Sequence, residues 1–214
     1  MEVTKTLVQC DFDGTIIEED ASLLLLDAFA SGDWRHLLQQ YRECKITVNQ
    51  LNNRAFAMIK AHEQTLLDFL KKSVKIRAGF HELIACCQRK RFRLVIVSNG
   101  LDFYIKAILN DLGQDNIQVF AAQTQFSPNS IETKYIDPEG NQLEDNFKQA
   151  YIRSFLKEGY RVIYIGDGFS DYPPAKEAHQ VFATGELLAC CQKTNLDCTP
   201  FADLNDVVKG LELL

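Results

Sequence analysis

Two short acidic clusters carry the strongest chemical signal in this chain. The first, Asp11-Phe12-Asp13-Gly14-Thr15, comes directly after an apolar run. Two carboxylates two residues apart at the end of a buried strand are costly to keep charged unless a cation balances them. Like charges in one pocket also push their pKa values apart, which suits one nucleophile and one general acid/base. Gly14 permits a sharp turn that can aim successive N–H groups at an anion. An Asx-rich turn with a helix N-cap is the plainer reading of the same residues. The second cluster, Gly166-Asp167-Gly168-Phe169-Ser170-Asp171, also follows an apolar run. Between the two clusters lie Ser98-Asn99-Gly100 and, nineteen residues before Asp167, Lys148. Taken singly, the first of these is a turn signal and the second a surface lysine. Gathered at one sheet edge, a hydroxyl, an ammonium and four carboxylates make a site for a phosphate and a cation.

The elements that must position these residues alternate. Apolar runs at Thr6–Cys10, Phe92–Val97, Arg161–Ile165 and Gln180–Ala183 read as strands. Helical patterns at Gly79–Lys90, Asn146–Lys157 and Tyr172–Ala178 separate or follow them. Strand–helix alternation predicts a parallel sheet covered on both faces, with ligands bound along the edge formed by the C-terminal strand ends. Residues 17–75 break the pattern with helical patterns at Ala21–Phe29, Asp33–Tyr41 and His62–Lys72 and no strand run. Thr47 with Gln50 forms a capping box opening a further helix through Ile59. The expected architecture is therefore α/β: a Rossmann-like parallel-sheet core of residues 1–16 and 76–214, with an inserted all-helical cap at 17–75. Val119–Asp137, with Asn129-Ser130 in its middle, predicts a β-hairpin.

Composition narrows the partners. The 214 residues are 46% hydrophobic and 24% charged, with a formal net charge of −6. An acidic chain without a basic stripe matches neither a nucleic-acid backbone nor an anionic membrane. Apolar runs such as Leu23–Leu26 fall far short of the ~18 residues of a membrane span. Glu2 and Asp11 leave no room for a signal-peptide apolar region, so a cytoplasmic protein is expected. Seven cysteines, with adjacent pairs at Cys86-Cys87 and Cys190-Cys191 and no CxxC spacing, read for the most part as buried thiols. His36, His62, His81 and His179 lack ligand spacing. Trp34 reads as packing, and Asp102 as a helix-start carboxylate.

The four elements in this order resemble the haloacid dehalogenase superfamily of phosphotransferases, over nearly the whole chain. The inserted helices are similar to the C1 cap of its phosphoserine-phosphatase branch. Within that branch Lys75-Ile76-Arg77-Ala78-Gly79-Phe80, Ser98 to Phe103, and Leu187 to Asn195 followed by Pro200-Phe201 are similar to bacterial methionine-salvage phosphatases. Those act on 2-hydroxy-3-keto-5-methylthiopentenyl 1-phosphate.

The resemblance implies roles. Asp11 would be the nucleophile that forms an aspartyl-phosphate, and Asp13 the acid that protonates the leaving alcohol and then activates water. Superfamily dehalogenases lack an acid at the Asp13 position, so phosphate-ester chemistry is implied. Mg2+ would be held by Asp11, the backbone carbonyl of Asp13 and Asp167. Ser98, Asn99, Gly100 and Lys148 would bind the phosphoryl oxygens, with Asp171 supporting Lys148 or the metal. In the cap, Asp20 stands where phosphoserine phosphatases carry a glutamate, and Arg54 matches an arginine that meets the far end of the substrate. A solvated helix face is the other reading of Arg54. Pro138-Glu139-Gly140-Asn141 replaces the Cys-rich insert of the methionine-salvage enzymes, and Gly166 to Pro173 is closer to phosphocholine/phosphoethanolamine phosphatases. The expected activity is Mg2+-dependent hydrolysis of a small phosphorylated metabolite. The methionine-salvage ester comes first, and phosphoserine or a phosphoamino-alcohol second. A phosphotransferase or mutase, or a silent binding protein on the same fold, are the readings of other classes.

Overall fold

The structure, a computed structural model, describes residues 5–128 and 130–214. Its strands are β1 (Thr6–Cys10), β2 (Arg93–Leu101), β3 (Gln118–Phe126), β4 (Ile131–Lys134), β5 (Arg161–Gly166), β6 (Gln180–Ala183) and β7 (Thr199–Pro200). The helices are α1 (Ala21–Phe29), α2 (Trp34–Arg42), α3 (Val48–Phe56), α4 (Glu63–Ser73), α5 (Phe80–Lys90) and α6 (Asp102–Asp111). After them come α7 (Phe147–Lys157), α8 (Tyr172–Ala175), α9 (Gly185–Thr194) and α10 (Leu204–Glu212). The chain divides into two compact units. One holds residues up to Glu18, Lys75–Val97 and Lys148–Leu214, and the other Glu19–Val74 and Ser98–Phe147. The expected core of 1–16 and 76–214 included residues 98–147. These pack instead with the helices of 19–74, because α3 lies against β4 and Asn49 and Asn52 bond to residues of the 98–147 segment.

The first unit is built on parallel strands in the order β2-β1-β5-β6-β7. A strand flanked on both sides and covered on both faces is mostly apolar, and β1 is buried from Leu7 to Cys10, with Gln9 the one polar amide in that stretch. The register places Cys10 opposite Ile165 and Ile96. Residues just past the ends of β1 and β5 therefore emerge side by side, with the Asp11 N–H donating to the Ile165 carbonyl at 2.9 Å. That register brings the two acidic clusters together.

The second unit holds α1 to α4, α6, the β3–β4 hairpin and the last residues of β2, next in sheet order to β3. The starts of α1, α2 and α3 are capped by side chains: Asp20 accepts from the Leu23 N–H at 2.9 Å and Asp33 from the His36 N–H at 3.1 Å. Thr47 and Gln50 form the reciprocal capping box expected of them, each bond 3.1 Å long. The β3–β4 pair is antiparallel from Gln123↔Lys134 to Phe126↔Ile131, as the hairpin reading required. Asn129, in the expected turn, lies outside the described residues.

Two expectations are corrected. Ser98-Asn99-Gly100 is not a turn after the second strand: β2 continues extended through Leu101 and runs directly into α6. The helix expected over Tyr172–Ala178 stops at Ala175, because the next amides bond three residues back (Glu177 to Pro174, Ala178 to Ala175) and the last turn tightens. All seven cysteines are free thiols, with Cys10, Cys86, Cys87 and Cys191 buried. Trp34 is buried and the four histidines are exposed.

Candidate active site

The candidate site lies within the first unit, where β1 and β5 end. Asp11 is 6% exposed, Lys148 3% and Asp171 fully buried. Lys148, in the first turn of α7, sets its Nζ 2.6 Å from Asp11 Oδ2 and 2.6 Å from Asp171 Oδ1. Asp11 Oδ1 accepts from the Phe12 N–H at 2.7 Å. Asp167 Oδ1 accepts from the buried Thr15 hydroxyl at 2.8 Å, tying the second acidic cluster to the first. One carboxylate oxygen each from Asp11, Asp167 and Asp171 lie within 4.8 Å of one another.

Asp171 is saturated by protein donors. Its Oδ1 takes the Lys148 ammonium and the Tyr164 hydroxyl, both at 2.6 Å, and its Oδ2 takes the N–H groups of Asp167 and Gly168 at 3.0 and 2.9 Å. Lys148 and these donors outweigh the effect of burial and hold Asp171 below the ordinary carboxylate range. Asp11 and Asp167 move the other way. Burial first, and the neighbouring carboxylates next, push Asp11 up to about 7 and Asp167 up to about 8. Burial opposes the Lys148 charge, but Asp11 and Asp171 overcome it and raise its pKa.

A single ammonium thus faces three closely grouped carboxylates, and the two without enough donors resist ionisation. A hard cation on oxygen ligands is the natural remedy. Asp11 and Asp167 fit as its carboxylate ligands, whereas Asp171 has its oxygens committed elsewhere.

Glycines and an arginine hold the loops in place. Gly14 has φ +67°, and a Cβ there would lie 2.1 Å from Asp167 Oδ2. At Gly166 a Cβ would lie 2.6 Å from Asp171 Cγ. Any side chain at either position would displace an acidic group. Arg77 donates from Nε to the Thr15 carbonyl at 2.8 Å, and from its terminal nitrogens to the carbonyls of Gly14 and Ala202 at 2.7 and 3.0 Å. Asp13, in the turn after β1, is half-buried.

The structure brings together Asp11, Lys148, Asp167 and Asp171. Ser98, Asn99, Gly100, Asp20 and Arg54 belong to the second unit. There Ser98 is buried and its hydroxyl oxygen accepts from the Gly100 N–H at 3.1 Å. The Asn99 carbonyl accepts from Asn52 Nδ2 at 2.9 Å and from the Tyr135 hydroxyl at 2.6 Å. Asp20 is exposed and caps α1, and Arg54 is exposed in the last turn of α3. Sequence reasoning did not pick out Thr15, Tyr164 or Arg77 as site residues. Thr15 and Arg77 stand inside the family-like motifs, but no short-range spacing marks Tyr164.

A family model described as haloacid dehalogenase-like hydrolase matches residues 8–176, a span that runs from β1 through the Asp171 cluster. The chain belongs to that family. Among curated relatives, a 2-hydroxy-3-keto-5-methylthiopentenyl-1-phosphate phosphatase of Geobacillus kaustophilus (strain HTA426) is 31% identical over 216 residues, covering 98% of this chain and 97% of the relative. One of the same description from Geobacillus thermodenitrificans (strain NG80-2) is 31% identical over 210 residues, covering 96% and 94%. Among solved structures, one described as a phospho-aspartyl intermediate analogue of phosphoserine phosphatase has TM-score 0.73 at 20% identity, covering 97% of this chain and 99% of that one. A substrate-bound phosphoserine phosphatase complex has TM-score 0.71 at 19% identity, with 98% and 99% covered. At those identities the two structures establish the fold. Family and relatives together make this haloacid dehalogenase-like chain a phosphomonoester hydrolase. No helix among the described residues is long and apolar enough to cross a membrane.

Proposed function

We propose that the protein is a Mg2+-dependent phosphatase that acts through an aspartyl-phosphate on Asp11, with 2-hydroxy-3-keto-5-methylthiopentenyl 1-phosphate as its substrate. The observation that carries the mechanism is Asp11 itself: a buried carboxylate at the end of β1, gripped by Lys148 and grouped with the carboxylates of Asp167 and Asp171. Asp11, Asp167 and the backbone carbonyl of Asp13 would hold the cation. Bound there, Mg2+ supplies positive charge that keeps both carboxylates ionised and offsets the repulsion between them and a phosphoryl group.

The chain's own residues perform the transfers. An Asp11 oxygen attacks phosphorus as the bond from phosphorus to the ester oxygen breaks, and Asp13 gives that oxygen its proton. Asp13, now a carboxylate, takes a proton from water as the water oxygen attacks phosphorus and frees Asp11. An ammonium has three N–H groups, and with two of them on Asp11 and Asp171, Lys148 turns the third to a phosphoryl oxygen. The same resemblance gives Ser98, the Asn99 backbone and Gly100 the role of donors to the other phosphoryl oxygens. It also gives Asp20 and Arg54 that of choosing the alcohol.

The substrate rests on the relatives described as acting on that ester, which match nearly the full chain. Free phosphate should be measured over a panel of this ester, phosphoserine, phosphocholine and p-nitrophenyl phosphate, each with Mg2+ and with EDTA. The highest kcat/KM should fall on the methionine-salvage ester, with release lost in EDTA. Preference for phosphoserine would overturn the substrate, and full turnover in EDTA would overturn the metal. Transfer to an added alcohol without release of phosphate would make the protein a phosphotransferase.

A further inference from the structure

β1 reads Thr-Leu-Val-Gln-Cys, and a strand covered on both faces has no general use for an amide. Gln9 is nevertheless fully buried, one residue before the strand's end. Its Nε2 donates to the backbone carbonyl of Lys148 at 3.1 Å. Its Oε1 is buried with no hydrogen-bond partner among the described residues. An unpaired buried acceptor is a standing penalty to folding, so an apolar residue of the same length would suit the fold better. The register adds a second residue. Gln9 is paired with Tyr164 across β1 and β5, and paired residues of parallel strands project from the same face. Tyr164 is also fully buried, and its hydroxyl donates to Asp171 Oδ1 at 2.6 Å. The two neighbours therefore hold the two partners of one ion pair, Gln9 the main chain of Lys148 and Tyr164 the carboxylate of Asp171.

We propose that Gln9 and Tyr164 are positioning residues that together fix the Lys148 ammonium against Asp11. The Lys148 side chain has four methylene groups and little intrinsic stiffness. Its Nζ stays aimed only if the start of α7 and the Asp171 carboxylate are both held. Gln9 fastens the first from the sheet below, and Tyr164 the second. The inference rests on the reading of Lys148 as a ligand of the phosphoryl group, and explains why a buried amide with half its hydrogen-bonding capacity unused stands in this strand.

The test uses the full chain with Gln9→Met, which keeps length and burial but removes the amide, Tyr164→Phe, and the double variant. Readouts are kcat/KM for p-nitrophenyl phosphate with Mg2+ and the thermal midpoint. Gln9→Met should lower kcat/KM by roughly 10-fold, at the lower end of what losing a supporting hydrogen bond costs a site. Its midpoint should stay within about 2 °C of wild type or rise, because the orphaned acceptor is gone. Tyr164→Phe should also lower kcat/KM, and the double variant should lose less than the product of the single losses, as expected for two supports of one group. Unchanged kcat/KM in Gln9→Met, a midpoint falling in step with activity, or losses that simply multiply would each overturn the proposal. A wild-type protein that releases no phosphate from any ester would instead remove the reading beneath it.

Discussion

In the unit that contains Asp11, the buried polar side chains are mostly ionic: Asp11, Lys148 and Asp171, with Gln9 and Thr15 attached to them or to Asp167. In the other unit the buried polar side chains are Asn49, Asn52, Ser98 and Thr133, all neutral. The asparagines there bond to carbonyls at Leu143 and Asn99 and to the Tyr135 hydroxyl, joining α3 to the end of β2 and to the segment that follows it. A neutral network of that kind fixes a shape without titrating, although the side-chain oxygens of Asn49 and Asn99 are buried without a partner among the described residues. In the ionic cluster three carboxylates face one ammonium, and burial and the neighbouring carboxylates raise the pKa values of Asp11 and Asp167. The comparison separates two tasks. On the proposed reading, the first unit carries the nucleophile and its ion pair, and the second carries Ser98 to Gly100 for the phosphoryl oxygens and Arg54 for the alcohol.

Breaking the ionic cluster should therefore have the largest effect. Asp11→Asn leaves an amide that cannot attack phosphorus, and phosphate release should fall by roughly 10⁴-fold or more, as when a nucleophile is removed. Asp13→Asn should cost about 10²–10⁴-fold, the usual range for a general acid–base, and phosphoenzyme should still form from esters with good leaving groups. Trapping with a labelled phosphoryl donor should mark Asp11. Label on a serine or a histidine would reassign the nucleophile.

The second unit is sharpened by Arg54→Ala. A charge-assisted contact is worth about 1.5–3 kcal/mol, or roughly 10–150-fold in kcat/KM. The loss should appear with the methionine-salvage ester and be nearly absent with p-nitrophenyl phosphate, which has no polar far end. Equal losses on both would mean that Arg54 supports the fold. No loss on either would return its exposed guanidinium to a solvated helix face.

Legibility in the sequence follows the range of the interaction. Asp11 and Asp167 stood out because each follows a strand run that ends where the sheet ends, so local pattern and tertiary position coincide. Lys148 was legible by its distance from Asp167, and the Thr47–Gln50 box by chemistry contained in four residues. Gln9 and Tyr164 sit inside apolar runs, where polarity alone gives no partner. Their contacts span 139 residues for Gln9 to Lys148 and only seven for Tyr164 to Asp171, and it is the β1–β5 register that makes them one support. Ser98-Asn99-Gly100 misled because its composition suits a turn, while sheet pairing keeps it extended. β7, two residues long, is too short to show any period. The grouping of residues 98–147 with the helices depends on side-chain bonds between segments far apart in sequence, which no composition shift announces.

A change of pH, which breaks no contact outright, sharpens the comparison further. Asp11 and Asp167 have folded-state pKa values raised to about 7 and about 8. As pH rises above about 4, the ordinary carboxylate range, the unfolded chain gives up these protons while the folded chain keeps them. The native state then binds more protons, so stability falls with rising pH, and the fall is complete once pH passes the folded values. Metal-free protein should therefore lose thermal stability between pH 5 and 8.5, measured as the difference from Asp167→Asn to cancel groups elsewhere. Mg2+ binds the ionised carboxylates, so its stabilisation should grow over the same interval. At a hundred times its Kd it would add about 2.7 kcal/mol, which is roughly 5–10 °C for a chain of this size. The neutral groups of the second unit do not titrate in this range and should add no pH-dependent part. A Mg2+ shift that is the same at pH 5 and 8.5 in wild type, and persists undiminished in Asp167→Asn, would place the cation somewhere other than between Asp11 and Asp167.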